Sequence, residues 1–131
     1  MPFQSPAEAS ARASDLPPQL LAFDFYAPSF VFGLCESWES GVAAAIEDQP
    51  VVSDIPALVL AGQYDPVTPP DWSRLAAETL SNSFFYELRG IGHGAIRSNA
   101  CALEIGLQFL DDPTTEPDTS CIDALSSPAF K

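Results

Sequence analysis

Two short apolar runs stand out from a mixed chain, and each leads directly into a polar, turn-rich segment. Ala57-Leu58-Val59-Leu60-Ala61 is followed by Gly62-Gln63-Tyr64-Asp65-Pro66-Val67-Thr68-Pro69-Pro70, and Phe84-Phe85-Tyr86-Glu87-Leu88 by Arg89-Gly90-Ile91-Gly92-His93-Gly94. The first run is unbroken, which suits a strand buried on both faces of a parallel sheet. The aromatics of the second favour the pleat. Pro56 stands just before the first run, where a missing N–H costs least. Between the runs, Thr68-Pro69-Pro70-Asp71 reads as a helix start. Thr68 is the expected N-cap, Pro69 the first helical residue, and Asp71 the closing member of a capping box. The helix is expected to run through Trp72, Leu75, Ala76, Thr79 and Leu80 and to stop near Ser81-Asn82-Ser83. Ser98 or Asn99 then caps a last helix reaching about Leu110, with Leu103, Leu107 and Leu110 on one face and Ile105 and Phe109 beside it. Asp111-Asp112-Pro113 ends it. The order strand–helix–strand–helix describes an α/β fold, a βαβα unit with parallel strands and a right-handed crossover.

The chain before residue 54 is less regular. Residues 1–18 are rich in Ala, Ser and Pro, and Pro17-Pro18 ends any helix over about Ser5 to Ser14. From Gln19 to Glu39 the chain is apolar and aromatic. Pro28 and Gly33 interrupt it, which predicts a short helix, a break, then a second helix or turn. Gly41 to Ile46 reads as a further helical turn. The expected organisation is a helical linker or cap remnant over 1–53, the βαβα region over 54–122 and a tail over 123–131.

With 131 residues, the chain is long enough for one domain with a core. Its 18 acidic and 5 basic residues give a formal charge of −13. Such a surface repels nucleic-acid phosphates and anionic lipid, so neither is expected as a partner. The charge serves solubility, or provides a field that draws in a cationic group such as a peptide amino terminus. No stretch reaches the ~18 apolar residues needed to span a bilayer. Met1-Pro2-Phe3-Gln4-Ser5-Pro6 has no basic or apolar segment of the kind a secretory signal needs. Three cysteines are present, Cys35, Cys101 and Cys121. A Cys101–Cys121 bridge would pin the Pro/Asp/Thr-rich tail to the last helix and leave Cys35 over, as a buried thiol or one paired outside the chain. One histidine and no Cys-x-x-Cys pair provide no metal-ligand spacing. No metal or other cofactor is expected.

Asp65 and His93 carry the candidate chemistry. Each lies just past a predicted strand, where functional residues of open parallel sheets gather. An acid at one strand tip and the chain's single histidine at the next form the second half of a Ser…Asp…His triad. Imidazole takes a proton from an attacking serine near neutral pH, and a carboxylate fixes its tautomer. Gly92 and Gly94 are expected to allow backbone positions that a Cβ would forbid. No Gly-x-Ser-x-Gly occurs in the 131 residues. Ser37, Ser40, Ser53 and Ser98 do not lie on a glycine-flanked elbow, and none is assigned as nucleophile. Glu36 and Glu39 read as a solvated acidic face, with an ammonium-binding pair as the alternative. Trp38 and Trp72 read as packing residues.

Gly62-Gln63-Tyr64-Asp65-Pro66-Val67-Thr68-Pro69, Gly90-Ile91-Gly92-His93-Gly94, Cys101, Phe109-Leu110-Asp111-Asp112-Pro113 and Asp118-Thr119-Ser120-Cys121, in this order and spacing, resemble the carboxyl-terminal region of secreted α/β-hydrolases of the tripeptidyl aminopeptidase type. The likeness covers roughly residues 54–122. Cys35-Glu36-Ser37-Trp38 resembles, less specifically, the segment returning from that family's cap. The resemblance implies a partial α/β-hydrolase fold, with Asp65 as triad acid and His93 as triad base. It also implies serine-peptidase or related esterase chemistry on a peptide or small ester, and an extracellular or periplasmic location, which fits a Cys101–Cys121 bridge. The family's early strands, oxyanion-hole loop and nucleophile elbow have no counterpart here. The chain therefore reads as the carboxyl-terminal portion of a hydrolase whose amino-terminal portion is its missing partner. Alone it is expected to lack appreciable peptidase activity and to self-associate or pack loosely through bare sheet edges. The alternatives are a non-catalytic binding or assembly module that keeps the same fold segment, and a fragment of an esterase.

Overall fold

The computed structural model describes residue 5 and residues 7–8, 11, 16–21, 28–38 and 44–129. The chain divides into two compact units, Met1–Gln49 and Pro50–Lys131. In the first, helix α1 spans Pro18–Leu21 and helix α2 spans Pro28–Ser37, followed by a 3-10 turn at Ala45–Asp48. A short helix and a second helix opening at Pro28 agree with the sequence expectation, with residues 22–27 between them outside the described residues, but Gly33 does not interrupt α2. Pro28 opens the helix, where its fixed φ is preorganised, and a single internal glycine costs only about 1 kcal/mol. The Ser37 hydroxyl donates back to the Gly33 carbonyl at 2.9 Å. Of the helix expected over 5–14, residues 7, 8 and 11 are helical and Ser5 is a bend; the rest lies outside the described residues, as do 41–43 of the expected turn.

The second unit is a βαβα arrangement. Strand β1 (Ala57–Gly62) and strand β2 (Ser83–Leu88) run parallel, with Ala57 opposite Ser83 and Gly62 opposite Leu88. An isolated bridge between Ser53 and Leu80 precedes the ladder. Helix α3 (Pro70–Ala77) connects the strands, and a short helix α4 (Ala95–Ser98) and helix α5 (Ala100–Asp111) follow β2. The faces are distinguished by β2's alternating side chains. On one side the Phe84 ring meets Phe109 of α5 edge-on, with centroids 6.4 Å apart at 78°. On the other, the Arg74 guanidinium of α3 lies 4.6 Å above the Phe85 ring and donates to Glu87 Oε2 at 2.9 Å.

Several expectations need correction. Among the described residues the sheet has two strands, and β1 is not buried along its length: Ala57 to Leu60 are half-buried, while Ala61 and Gly62 are buried. Helix α3 begins at Pro70 with Pro69 as N-cap and no side-chain cap, so Thr68 does not cap it and no capping box forms with Asp71. It ends at Ala77 rather than Leu80, because Thr79 and Leu80 are drawn towards Ser53, whose N–H donates to the Thr79 carbonyl. Trp72 on α3 and Trp38 after α2 are 65% and 77% exposed, not packed.

Helix α5 begins at one of the two expected caps. Asn99 caps it, its side chain accepting from the N–H groups of Cys101 and Ala102 at 2.9 and 3.2 Å. The Leu103–Leu107–Leu110 stripe is nevertheless exposed, and Ala102, Ile105 and Gly106 face inward. Small residues win the inner face because the helix lies close to α4. A Cβ at Gly106 would stand 2.7 Å from Ile96 Cδ1. Leu88, Ala95 and Ala102 form the buried centre, with Leu60, Ile91 and Leu125 packed around it. The Cys101–Cys121 disulfide joins the start of α5 to a 3-10 turn at Ser120–Ala124, which delivers Leu125 to that centre. Closing a loop with this sequence separation of 20 stabilises by roughly 3 kcal/mol in the chain-entropy model. Cys35 is not in the bridge and lies exposed on α2, not buried. Among the described residues no helix is long and apolar enough to cross a membrane.

The inward face of α5 has a direct test. Ile105→Ala should destabilise by about 2–5 kcal/mol, and Leu107→Ala by no more than about 0.5 kcal/mol. Urea denaturation followed by circular dichroism measures both; the reverse ranking would place the leucine stripe inside.

Candidate active site

Asp65 and His93 meet. The chain leaves β1 through a tight turn in which the Asp65 N–H donates to the Gly62 carbonyl at 3.1 Å. It leaves β2 through the Arg89–Gly94 turn, which ends with Gly94 in the left-handed region (φ +74°) and opens α4. Gly94 needs the freedom of glycine; Gly92, also expected to need it, has no positive φ. The two strand-end turns bring His93 Nδ1 to 3.1 Å from Asp65 Oδ1 and 3.0 Å from Oδ2. The residues are 28 positions apart in sequence.

The carboxylate is fixed before it meets the imidazole. Its Oδ1 accepts from the N–H groups of Val67 and Thr68 at 2.8 and 2.9 Å, and its Oδ2 accepts from the Thr68 hydroxyl at 2.7 Å. Thr68 is therefore turned back onto the acid instead of forward onto the helix, which is why it cannot cap α3. Burial by itself would push the Asp65 carboxyl up. The Thr68 N–H, the Thr68 hydroxyl, the Val67 N–H and the His93 side chain outweigh that and hold it well below the usual carboxylate range. The Asp65 side chain is 6% exposed and that of His93 56%. A buried, ionised carboxylate beneath a half-exposed ring can only accept a hydrogen bond, so the contact favours the Nδ1–H tautomer and leaves Nε2 without a proton. That is the tautomer a general base needs.

No serine completes the set among the described residues, where no serine hydroxyl bonds to His93. Ser37 is tied to Gly33, Ser53 Oγ accepts the Ile55 N–H, and Ser98 donates to the Gly94 carbonyl at 3.3 Å. Ser40 and Glu39 lie outside the described residues; Glu36 is exposed. Beside the dyad is an open hollow of about 430 Å³, walled by Leu58 and Leu60 of β1 and by Gly106, Phe109 and Leu110 of α5. Among the described residues no group of three His, Cys, Asp or Glu side chains could hold a metal ion.

Sequence reading missed Thr68 as a partner of the acid, although the signal was present. An Asp followed three positions later by Thr is the pattern of a side chain closing its own turn. It missed Gln63 as well, whose carboxamide oxygen accepts from the Gly90 N–H at 2.9 Å; no local pattern marks that contact.

A protein-family model described as TAP-like protein, an α/β-hydrolase family, matches residues 23–121, about three quarters of the chain. The chain belongs to this family. The match contains both members of the dyad and both bridged cysteines, and it starts well before residue 54. No curated protein and no solved structure matches the chain.

The depressed Asp65 carboxyl fixes a pH dependence. Its folded-state value lies below its unfolded one, so its contribution is complete above the ordinary carboxylate range near pH 4 and is lost as pH falls through and below that range. Asp65→Asn should cost stability at pH 7 and progressively less towards pH 3. Urea midpoints of both proteins at the two pH values measure this; a gap of constant size would contradict it.

Proposed function

We propose that this chain supplies the acid and the base of a Ser-His-Asp hydrolase, with Asp65 as the acid and His93 as the base. The nucleophilic serine and oxyanion donors would come from a hydrolase portion outside these 131 residues. The observation that carries this reading is the His93 Nδ1 contact with a buried, three-fold-anchored carboxylate at two parallel strand ends. Membership of the TAP-like family points the same way and favours peptide-bond cleavage near a free amino terminus, with ester cleavage as the neighbouring chemistry. The Cys101–Cys121 bridge favours an extracellular or periplasmic setting.

In the complete site, an alcohol within reach of Nε2 would lose its proton to the ring as it attacks the scissile carbonyl. The Asp65 carboxylate would stabilise the resulting imidazolium, and the ring would then return the proton to the leaving amine or alcohol. Two features support placing the missing portion beside β1. The Ala57 and Gln63 N–H groups point to β2, donating to Asn82 and Leu88, so the alternate residues Leu58 and Leu60 turn their backbone groups to the open edge. The hollow next to the dyad lies along the side chains of those same two residues. A further strand there would cover an exposed edge and bring a new segment up to the imidazole.

A non-catalytic binding or assembly module is the competing reading, favoured by the lack of any described serine hydroxyl on His93. Fluorophosphonate labelling tests for a nucleophile in the chain, and reconstitution separates the two readings. The chain alone should show no stoichiometric serine labelling; labelling would place the nucleophile within it. Joined to the amino-terminal portion of a TAP-like hydrolase, it should gain aminopeptidase or esterase turnover, and Asp65→Asn should lower kcat/KM by about 10⁴-fold. A correctly folded assembly with no turnover would favour the module.

A further inference from the structure

We infer that Gln63 is a positioning residue for the acid–base pair, its carboxamide setting the height of the His93 turn over Asp65; this rests on the dyad reading above. The turn carrying His93 is held by three consecutive residues of the segment leaving β1. Gly62 lies so close to the turn that a Cβ there would run into the carbonyls of Ile91 and Gly92. The Tyr64 N–H donates to the Ile91 carbonyl at 2.9 Å. Between them, Gln63 Oε1 accepts the Gly90 N–H at 2.9 Å. Two of these ties are made by backbone. The Gln63 tie alone runs through a side chain, so it is the one that a substitution can remove while the backbone path stays intact.

The carboxamide is itself held from the far side. The Ser127 hydroxyl donates to the same Oε1 at 2.8 Å. The tail reaches that place because Cys121 is bonded to Cys101 and Leu125 packs against the buried centre. It presses on the turn as well: Gly90 has φ +72°, and a Cβ there would strike the Ser126 carbonyl. One oxygen thus ties the strand end bearing Asp65, the turn bearing His93 and the disulfide-anchored tail. Hydrogen bonds that fix the backbone of the turn carrying a ring limit where that ring can stand without touching either the ring or a substrate.

His93 is the single histidine of the chain, so one imidazole signal reports the geometry without ambiguity. The experiment is ¹⁵N NMR of the full chain above the imidazole titration, reading the ratio of Nδ1–H to Nε2–H tautomers. The wild type should favour Nδ1–H, and Asp65→Asn should reverse the preference; an unchanged ratio in that variant would sink the dyad itself. Gln63→Met keeps the side chain's length but offers no oxygen, and should lower the ratio by at least about twofold while circular dichroism shows it folded. Gln63→Glu keeps an oxygen acceptor and should restore the wild-type ratio. A folded Gln63→Met with the wild-type ratio, in a protein where Asp65→Asn does reverse it, overturns the positioning role alone. Should Gln63→Met fail to fold, Ser127→Ala is read in its place: a reduced ratio supports the role and an unchanged one rejects it.

Discussion

The site depends on how the two strands continue to hold each other after they have ceased to be strands. Gln63 N–H donates to the Leu88 carbonyl and Tyr64 N–H to the Ile91 carbonyl, each within 3.0 Å, so the parallel ladder runs on into both exit turns. This lacing turns two independent loops into one rigid tip. Without it, Asp65 and His93 would be a buried acid and an exposed loop histidine with no fixed distance between them. With it, a contact of 3.0 Å forms between side chains that share no local segment.

The chain contains an internal comparison that isolates what this lacing adds. Asp65-Pro66-Val67-Thr68 and Asp112-Pro113-Thr114-Thr115 are both Asp-Pro-x-Thr, and both fold the same way. At Asp112 the Thr114 N–H and hydroxyl bond to Oδ1 at 3.0 and 2.7 Å, and the Thr115 hydroxyl bonds to Oδ2 at 2.7 Å. The Thr114 side chain foremost, then Thr115, hold the Asp112 carboxyl below its usual range. Asp112 is exposed and stands at the C-terminal end of α5. A pre-ionised, rigidly held carboxylate is thus a local product of four residues. An imidazole delivered to it is a product of the fold.

Helix α5 shows how packing overrides a plausible stripe. Leucines at 103, 107 and 110 offer the larger hydrophobic gain, yet Ala102, Ile105 and Gly106 face inward. The Asn99 cap, the disulfide at Cys101 and the closeness of Ile96 fix the helix at a distance that only small residues and one isoleucine fill. The leucine stripe and the outer edge of β1 then remain as apolar surface on a unit of two strands, which is too little sheet to cover both faces.

The strands, their parallel order, a helix cap at Ser98 or Asn99 and the two active-site candidates were legible from residues 54–112 because each is written in local chemistry. Unbroken apolar runs make strands, an amide before an apolar helix makes a cap, and an acid and a histidine just past strand ends face the same side of a parallel sheet. Thr68, Gln63 and the inner face of α5 were not legible in this way. A threonine between an aspartate and two prolines fits a helix cap and a carboxylate clamp equally well, and only the position of the acid decides between them. A glutamine hydrogen-bonded across 27 positions leaves no trace in its neighbours. Sequence alone settled which groups could ionise, cap and turn, since those properties belong to short segments. The tertiary structure decided which of them touch, since the distance between two turns depends on the ladder, the helices and the bridged tail acting together.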